Sequence, residues 1–134
     1  STRGMPCQAC GGPTRTVPVP ADLRVYLPGE AATVAVCESC LALEPTEEST
    51  DTVPDLAALD DALPAEEEAL LPLVLLVGLL DSLAVHRTEI TALLERVERA
   101  GTDPLLVVDR LADSYGTDAH VDLAARRRQL EQLL

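Results

Sequence analysis

Cys7-Gln8-Ala9-Cys10-Gly11-Gly12 and Cys37-Glu38-Ser39-Cys40 are the two stretches that decide how the N-terminal part of this chain folds. Each holds a Cys-x-x-Cys pair, and residues 11–36 lie between them. Two intervening residues let one tight turn present both sulfurs to one ion, and four thiolates satisfy the tetrahedral preference of zinc. Gly11 permits the turn and lets backbone N–H groups point at sulfur. The spacing therefore predicts one zinc ion held by Cys7, Cys10, Cys37 and Cys40 as a structural cofactor. A closed set of four protein ligands leaves no position for substrate, so the metal is not expected to be catalytic. A segment of this size buries too little surface to fold alone, and metal binding on the order of 10 kcal/mol supplies the difference. A rubredoxin-like iron site uses similar pairs, but that fold is rich in aromatics. This segment has only Tyr26, and Leu41, not glycine, follows the second pair. Two disulfides fit poorly with a cytosolic composition.

Working outward, residues 5–43 read as a zinc ribbon built of short β-hairpin knuckles. Thr14 to Val19 alternates loosely, with Val17 and Val19 on one face. Pro18 and Pro20 confine that strand to an edge. Pro20 to Tyr26 suits one helical turn with Leu23 inward, Leu27-Pro28-Gly29-Glu30 suits a turn, and Thr33 to Cys37 suits a second strand. Met5 reads as an initiator, and no apolar signal segment follows it.

Residues 44–63 have the composition of an acidic linker, from Glu44-Pro45-Thr46-Glu47-Glu48 onward. A short helix over 55–63 would place Leu56, Leu59 and Leu63 on one face. Residues 64–134 read as an all-α bundle of about four helices. The first covers about 65–84, with Pro72 inside it. The second covers about 87–100, where Ile90, Leu93, Leu94 and Val97 follow the amphipathic spacing and Gly101 stops it. Asp103-Pro104 caps a third over about 104–113. Asp118 caps a fourth over about 119–134, and the short connections make neighbours antiparallel.

Composition narrows the function classes. The chain has 134 residues, 23 acidic against 10 basic, a net charge of −13, and neither Phe nor Trp. Lysine and asparagine are absent. Self-repulsion of that size is screened at molar salt, where the Debye length falls to about 3 Å. A halophile's cytoplasmic protein is the reading. The scarcity of aromatics argues against readers of single-stranded nucleic acid. Leu70 to Leu80 is about half a membrane span and contains Pro72 and Gly78, so it reads as a buried helix with no membrane role.

Other residues carry plainer readings. Arg126-Arg127-Arg128 reads as an exposed face pairing with acids such as Asp122 and Glu131, with phosphate contact as the weaker alternative. His86 and His120 read as surface or boundary histidines. Asp60-Asp61 and Glu66-Glu67-Glu68 read as solvated surface. No nucleophile motif or phosphate loop occurs, so no catalytic or cofactor-binding residues are expected and the protein reads as not an enzyme.

The chain resembles a small haloarchaeal family of unknown function. The likeness rests on both Cys-x-x-Cys pairs, on Val17-Pro18-Val19-Pro20-Ala21-Asp22-Leu23-Arg24, and on Gly78-Leu79-Leu80-Asp81-Ser82-Leu83. It continues through Leu93-Leu94-Glu95-Arg96-Val97-Glu98-Arg99-Ala100-Gly101 with Asp103-Pro104, and the tail from Arg126 to Leu134. It implies a haloarchaeal source and a zinc-ribbon start, and no activity. The expected role is a non-enzymatic interaction, adaptor or regulatory protein. Leu70-Leu71 and Leu73 to Leu76 would serve a protein partner or a homo-oligomer. A nucleic-acid-associated ribbon factor is the alternative. Cys37→Ser is expected to release zinc and unfold 5–43 while the helices survive.

Overall fold

The computed structural model describes residues 7, 8, 10–46 and 56–133. Thr14–Pro18 forms β1 and Thr33–Cys37 forms β2, antiparallel, with Thr14 opposite Cys37 and Pro18 opposite Thr33. Both fall where the valine alternation places them, and Val17, Val34 and Val36 are buried. β1 is an edge strand, the position that tolerates Pro18. Between them Ala21–Arg24 makes one helical turn, α1, with Leu23 buried. A 3-10 turn over Pro28–Glu30 follows, with Gly29 at a φ of 67°.

The sheet has a third strand. The sequence reading starts an acidic linker at 44, but Leu43–Pro45 forms β3, antiparallel to β2 with Val36 opposite Leu43. The second cysteine turn causes this. Its Cys37 N–H donates to the Ala42 carbonyl at 2.9 Å, which folds the next residues back along β2. Most of the remaining linker, residues 47–55, lies outside the described residues, as do Met5 and Asp55. The helix read over 55–63 is a 3-10 turn over Leu56–Leu59, with Leu56 and Leu63 buried.

The helical part follows its sequence signals closely until its last element. α2 (Glu67–Leu79) ends earlier than read and tightens into a 3-10 turn over Leu80–Ser82. α3 (Arg87–Arg99) buries Ile90, Leu93, Leu94 and Val97. It ends in a Schellman arrangement at Gly101, whose φ is 94°. There the Gly101 N–H reaches the Glu98 carbonyl at 2.9 Å and the Thr102 N–H the Val97 carbonyl at 3.2 Å. α4 (Pro104–Tyr115) carries the expected cap, with Asp103 accepting from the N–H groups of Leu105 and Leu106. α5 (Leu123–Glu131) starts four residues later than read, and Asp122, not Asp118, caps it. Residues before it are held in another contact, described below.

One buried cluster runs from Val17, Val34 and Val36 of the sheet through Leu41 to α2, α3, α4 and Leu130 of α5. α2 is apolar all round because it lies at the centre, with Leu73, Leu75 and Leu76 fully buried. This corrects the expectation that Leu70-Leu71 and Leu73 to Leu76 are left for a partner. Only Leu71 of that set is partly exposed; the rest fill the chain's own core. Arg96 ties α3 to α1, 2.7 Å from the Asp22 carboxylate and 5.9 Å from the centre of the Tyr26 ring. Among the described residues no helix is long and apolar enough to cross a membrane.

Candidate metal centre

Each cysteine pair sits on a turn, and the two turns repeat one hydrogen-bond pattern. In the first, the Cys7 N–H donates to the Gly12 carbonyl at 2.9 Å and the Gly11 N–H to the Cys7 carbonyl at 2.7 Å. In the second, the Cys37 N–H donates to the Ala42 carbonyl at 2.9 Å and the Leu41 N–H to the Cys37 carbonyl at 3.0 Å. The residue after each pair is left-handed, Gly11 at φ 76° and Leu41 at φ 67°. Glycine takes that conformation freely, whereas a leucine is strained there by about 1–2 kcal/mol. Leu41 is kept there by its side chain, which is buried in the main core.

The sheet sets the turns face to face. β1 leaves the first turn and β2 enters the second, and Thr14 pairs with Cys37. The Glu38 N–H donates to the Pro13 carbonyl at 2.9 Å, and Arg15 Nε lies 3.3 Å from the Glu38 carboxylate. The four sulfurs converge as a result. Cys7 Sγ lies 3.6 Å from Cys40 Sγ, Cys10 Sγ lies 3.5 Å from Cys37 Sγ, and all four fall within 4.8 Å of one another. Gly12 makes the approach possible, since a Cβ there would press on Ser39 of the opposite turn.

Backbone dipoles point at the sulfurs. Ser39 and Cys40 N–H groups donate to Cys37 Sγ at 3.3 and 3.4 Å, and the Ala42 N–H bonds Cys40. Cys7, Cys37 and Cys40 are buried and Cys10 is exposed. Burial pushes the Cys37 and Cys40 thiols up, and the N–H bonds offset only part of that. Without a cation the Cys37 and Cys40 thiols keep their protons. A bound cation reverses the balance by stabilising the thiolates. A metal ion is what this donor set can hold, and among the described residues no other group of histidine, cysteine and acid is arranged to do so.

The helical part also grips the second turn. The His120 N–H donates to the Cys40 carbonyl at 2.9 Å, and its ring Nε2 lies 3.0 Å from the Val77 carbonyl near the end of α2. A carbonyl only accepts, so Nε2 carries the proton. Burial lowers the His120 pKa from its ordinary value. Tyr115 reaches the Glu38 carbonyl at 3.5 Å. Sequence reasoning read His120 as a lone boundary residue. No local pattern could reveal its partners, which are remote in the chain. His86 stays at the start of α3, 3.8 Å from Glu89. In the basic run, Arg127 pairs with Asp109 and with Glu131, Arg126 bonds Gln129, and Arg128 is exposed.

Fold and site together define a small three-stranded sheet, closed by a cysteine cluster able to bind metal and packed on a helical body. The chain belongs to the family of unknown function DUF6276, whose model matches residues 6–134. No curated protein and no solved structure matches it.

Proposed function

We propose that Cys7, Cys10, Cys37 and Cys40 bind one structural zinc ion, and that the chain is a zinc-stapled, non-enzymatic interaction or regulatory protein of a halophile's cytoplasm. The observation that carries the zinc assignment is the convergence of the two matching turns. Four thiolates about 2.3 Å from zinc stand about 3.8 Å apart. The sulfur pairs at 3.5 and 3.6 Å are already close to that spacing. Backbone N–H groups aimed at thiolate sulfur suit the excess negative charge of such a centre.

The non-enzymatic reading rests on the closed ligand set, which leaves no coordination position for substrate. The halophile assignment rests on the charge of −13 and the absence of lysine. Nucleic-acid binding is the weaker reading, because Arg127 is engaged by Asp109 and Glu131. Elemental analysis of protein purified at molar salt tests the metal, with one zinc per chain expected. Cobalt substitution should give the absorption of a tetrahedral thiolate site. A protein that takes up neither metal refutes the centre. Light scattering and affinity capture from a halophilic extract test the interaction role. A strict monomer with no partner recovered counts against it.

A further inference from the structure

One of the four cysteines is an exposed residue. Cys7, Cys37 and Cys40 are buried, while Cys10 is exposed beside a cleft of about 540 Å³. Gly11, Gly12, Ser39, Ser114, Tyr115 and Asp118 line that cleft with it, and the two residues that follow Cys10 in the chain, Gly11 and Gly12, carry no side chain. Cys37 Sγ, on a buried residue, lies 3.5 Å from the Cys10 sulfur. We propose that Cys10 is a modification site, where a small neutral oxidant such as hydrogen peroxide attacks the metal–thiolate centre. Closure of a Cys10–Cys37 disulfide then expels the ion. The inference rests on the zinc centre proposed above.

Cys10 thiolate attacks one peroxide oxygen, the O–O bond breaks, and hydroxide leaves and is protonated to water. Cys37 thiolate then attacks the Cys10 sulfenic sulfur, an S–S bond forms, and a second hydroxide leaves and is protonated. The sulfur pair loses two electrons, peroxide becomes two waters, and two protons are consumed. Cys7 and Cys40 remain as ligands, and two thiolates do not complete a tetrahedral site.

Charge selects the class of reagent. A zinc ion with four thiolates is an anionic centre, the chain carries −13, and among the described residues Asp118 is the charged side chain lining the cleft. Anionic reagents are repelled from such a surface at low salt and neutral ones are not. Ser39 and Cys40 N–H groups already bond Cys37 Sγ, which is buried, so Cys37 acts second.

The test uses the full zinc-loaded chain, with the zinc-to-protein ratio measured first. Limiting iodoacetamide should label Cys10 about tenfold faster than the other cysteines, since exposure governs thiolate reactivity. Iodoacetate should lag behind it at low salt and approach it at molar salt. One equivalent of hydrogen peroxide should release zinc to a chromogenic chelator in step with a new disulfide. Trypsin places Cys7 and Cys10 on one peptide and Cys37 and Cys40 on another. A Cys10–Cys37 link therefore joins two peptides, and fragmentation locates it. First labelling at a buried cysteine, a link within the Cys7–Cys10 peptide, or zinc retained after Cys10 is oxidised each overturns the inference and leaves the centre standing. A chain that binds no metal overturns both.

Discussion

Gly11 and Gly12 are neighbours with different duties. Gly11 has open space where a Cβ would go, but its φ of 76° strains any other residue. Gly12 has an ordinary φ, but a Cβ there would stand 2.6 Å from Ser39 Oγ, 2.9 Å from Ser39 Cβ and 3.3 Å from Cys10 Sγ. Gly12→Ala should therefore push the turns apart and weaken metal affinity by roughly 10–100-fold, the scale seen when a ligand's supporting contacts are lost. Gly11→Ala should instead lower stability by about 1 kcal/mol with a smaller loss of affinity. Competition with a chelator of known affinity and urea melts separate the two. Equal losses of affinity would show that close approach is not what Gly12 provides.

At the scale of elements, β3 packs on α2 with Leu43 set against Gly78. A Cβ on Gly78 would overlap the Leu43 side chain, so strand and helix touch only because Gly78 has none. Gly78→Ala should destabilise by about 1–3 kcal/mol through overpacking. Leu43→Gly, which removes the Cβ that a Cβ on Gly78 would strike, should partly offset that loss, so a double-mutant cycle should show favourable coupling; additive losses would refute the contact. The segment before α5 is governed the same way. His120 bonds Cys40 with its backbone and Val77 with its ring, which keeps residues 119–122 out of the helix. Chelating the metal should raise amide hydrogen exchange across 116–122, while the centre of α3 stays protected. His120 is depressed by burial, so its contribution is present above the ordinary histidine value and is lost as pH falls. Protection across 116–122, taken relative to the intrinsic exchange rate at each pH, should decline as pH drops below about 6.5, and His120→Ala should remove that dependence.

For the whole molecule, charge and core set the terms. A net charge of −13 opposes the compact state, and salt screens it. The melting temperature should climb as KCl rises from about 0.1 M to 1 M, with the steepest gain at the low end. A flat response would remove the physical ground for the halophile reading. The shared core also revises the consequence of losing a cysteine. Val17, Val34 and Val36 pack in the same cluster as the α2 and α3 leucines. Cys37→Ser is therefore expected to lower the melting of sheet and helices together in one transition, where the sequence had suggested an independent helical remnant. Two separate transitions by calorimetry and helical signal would restore the earlier picture.

Local chemistry determined much of this protein directly from its sequence. The Cys-x-x-Cys spacing dictates tight turns, the valine alternation dictates β1 and β2, and Gly101, Asp103 and Pro104 punctuate α3 and α4. Each of those signals acts within a few residues. The tertiary structure alone decided that Leu43–Pro45 completes the sheet and that α2 is the central helix. It also decided that Asp122 caps α5 and that Cys10, of four similar cysteines, faces solvent. Those outcomes depend on which remote groups meet: Leu43 with Gly78, Cys40 with His120, Ser39 with Gly12. A chain's own periodicity carries no record of partners that only folding brings within reach.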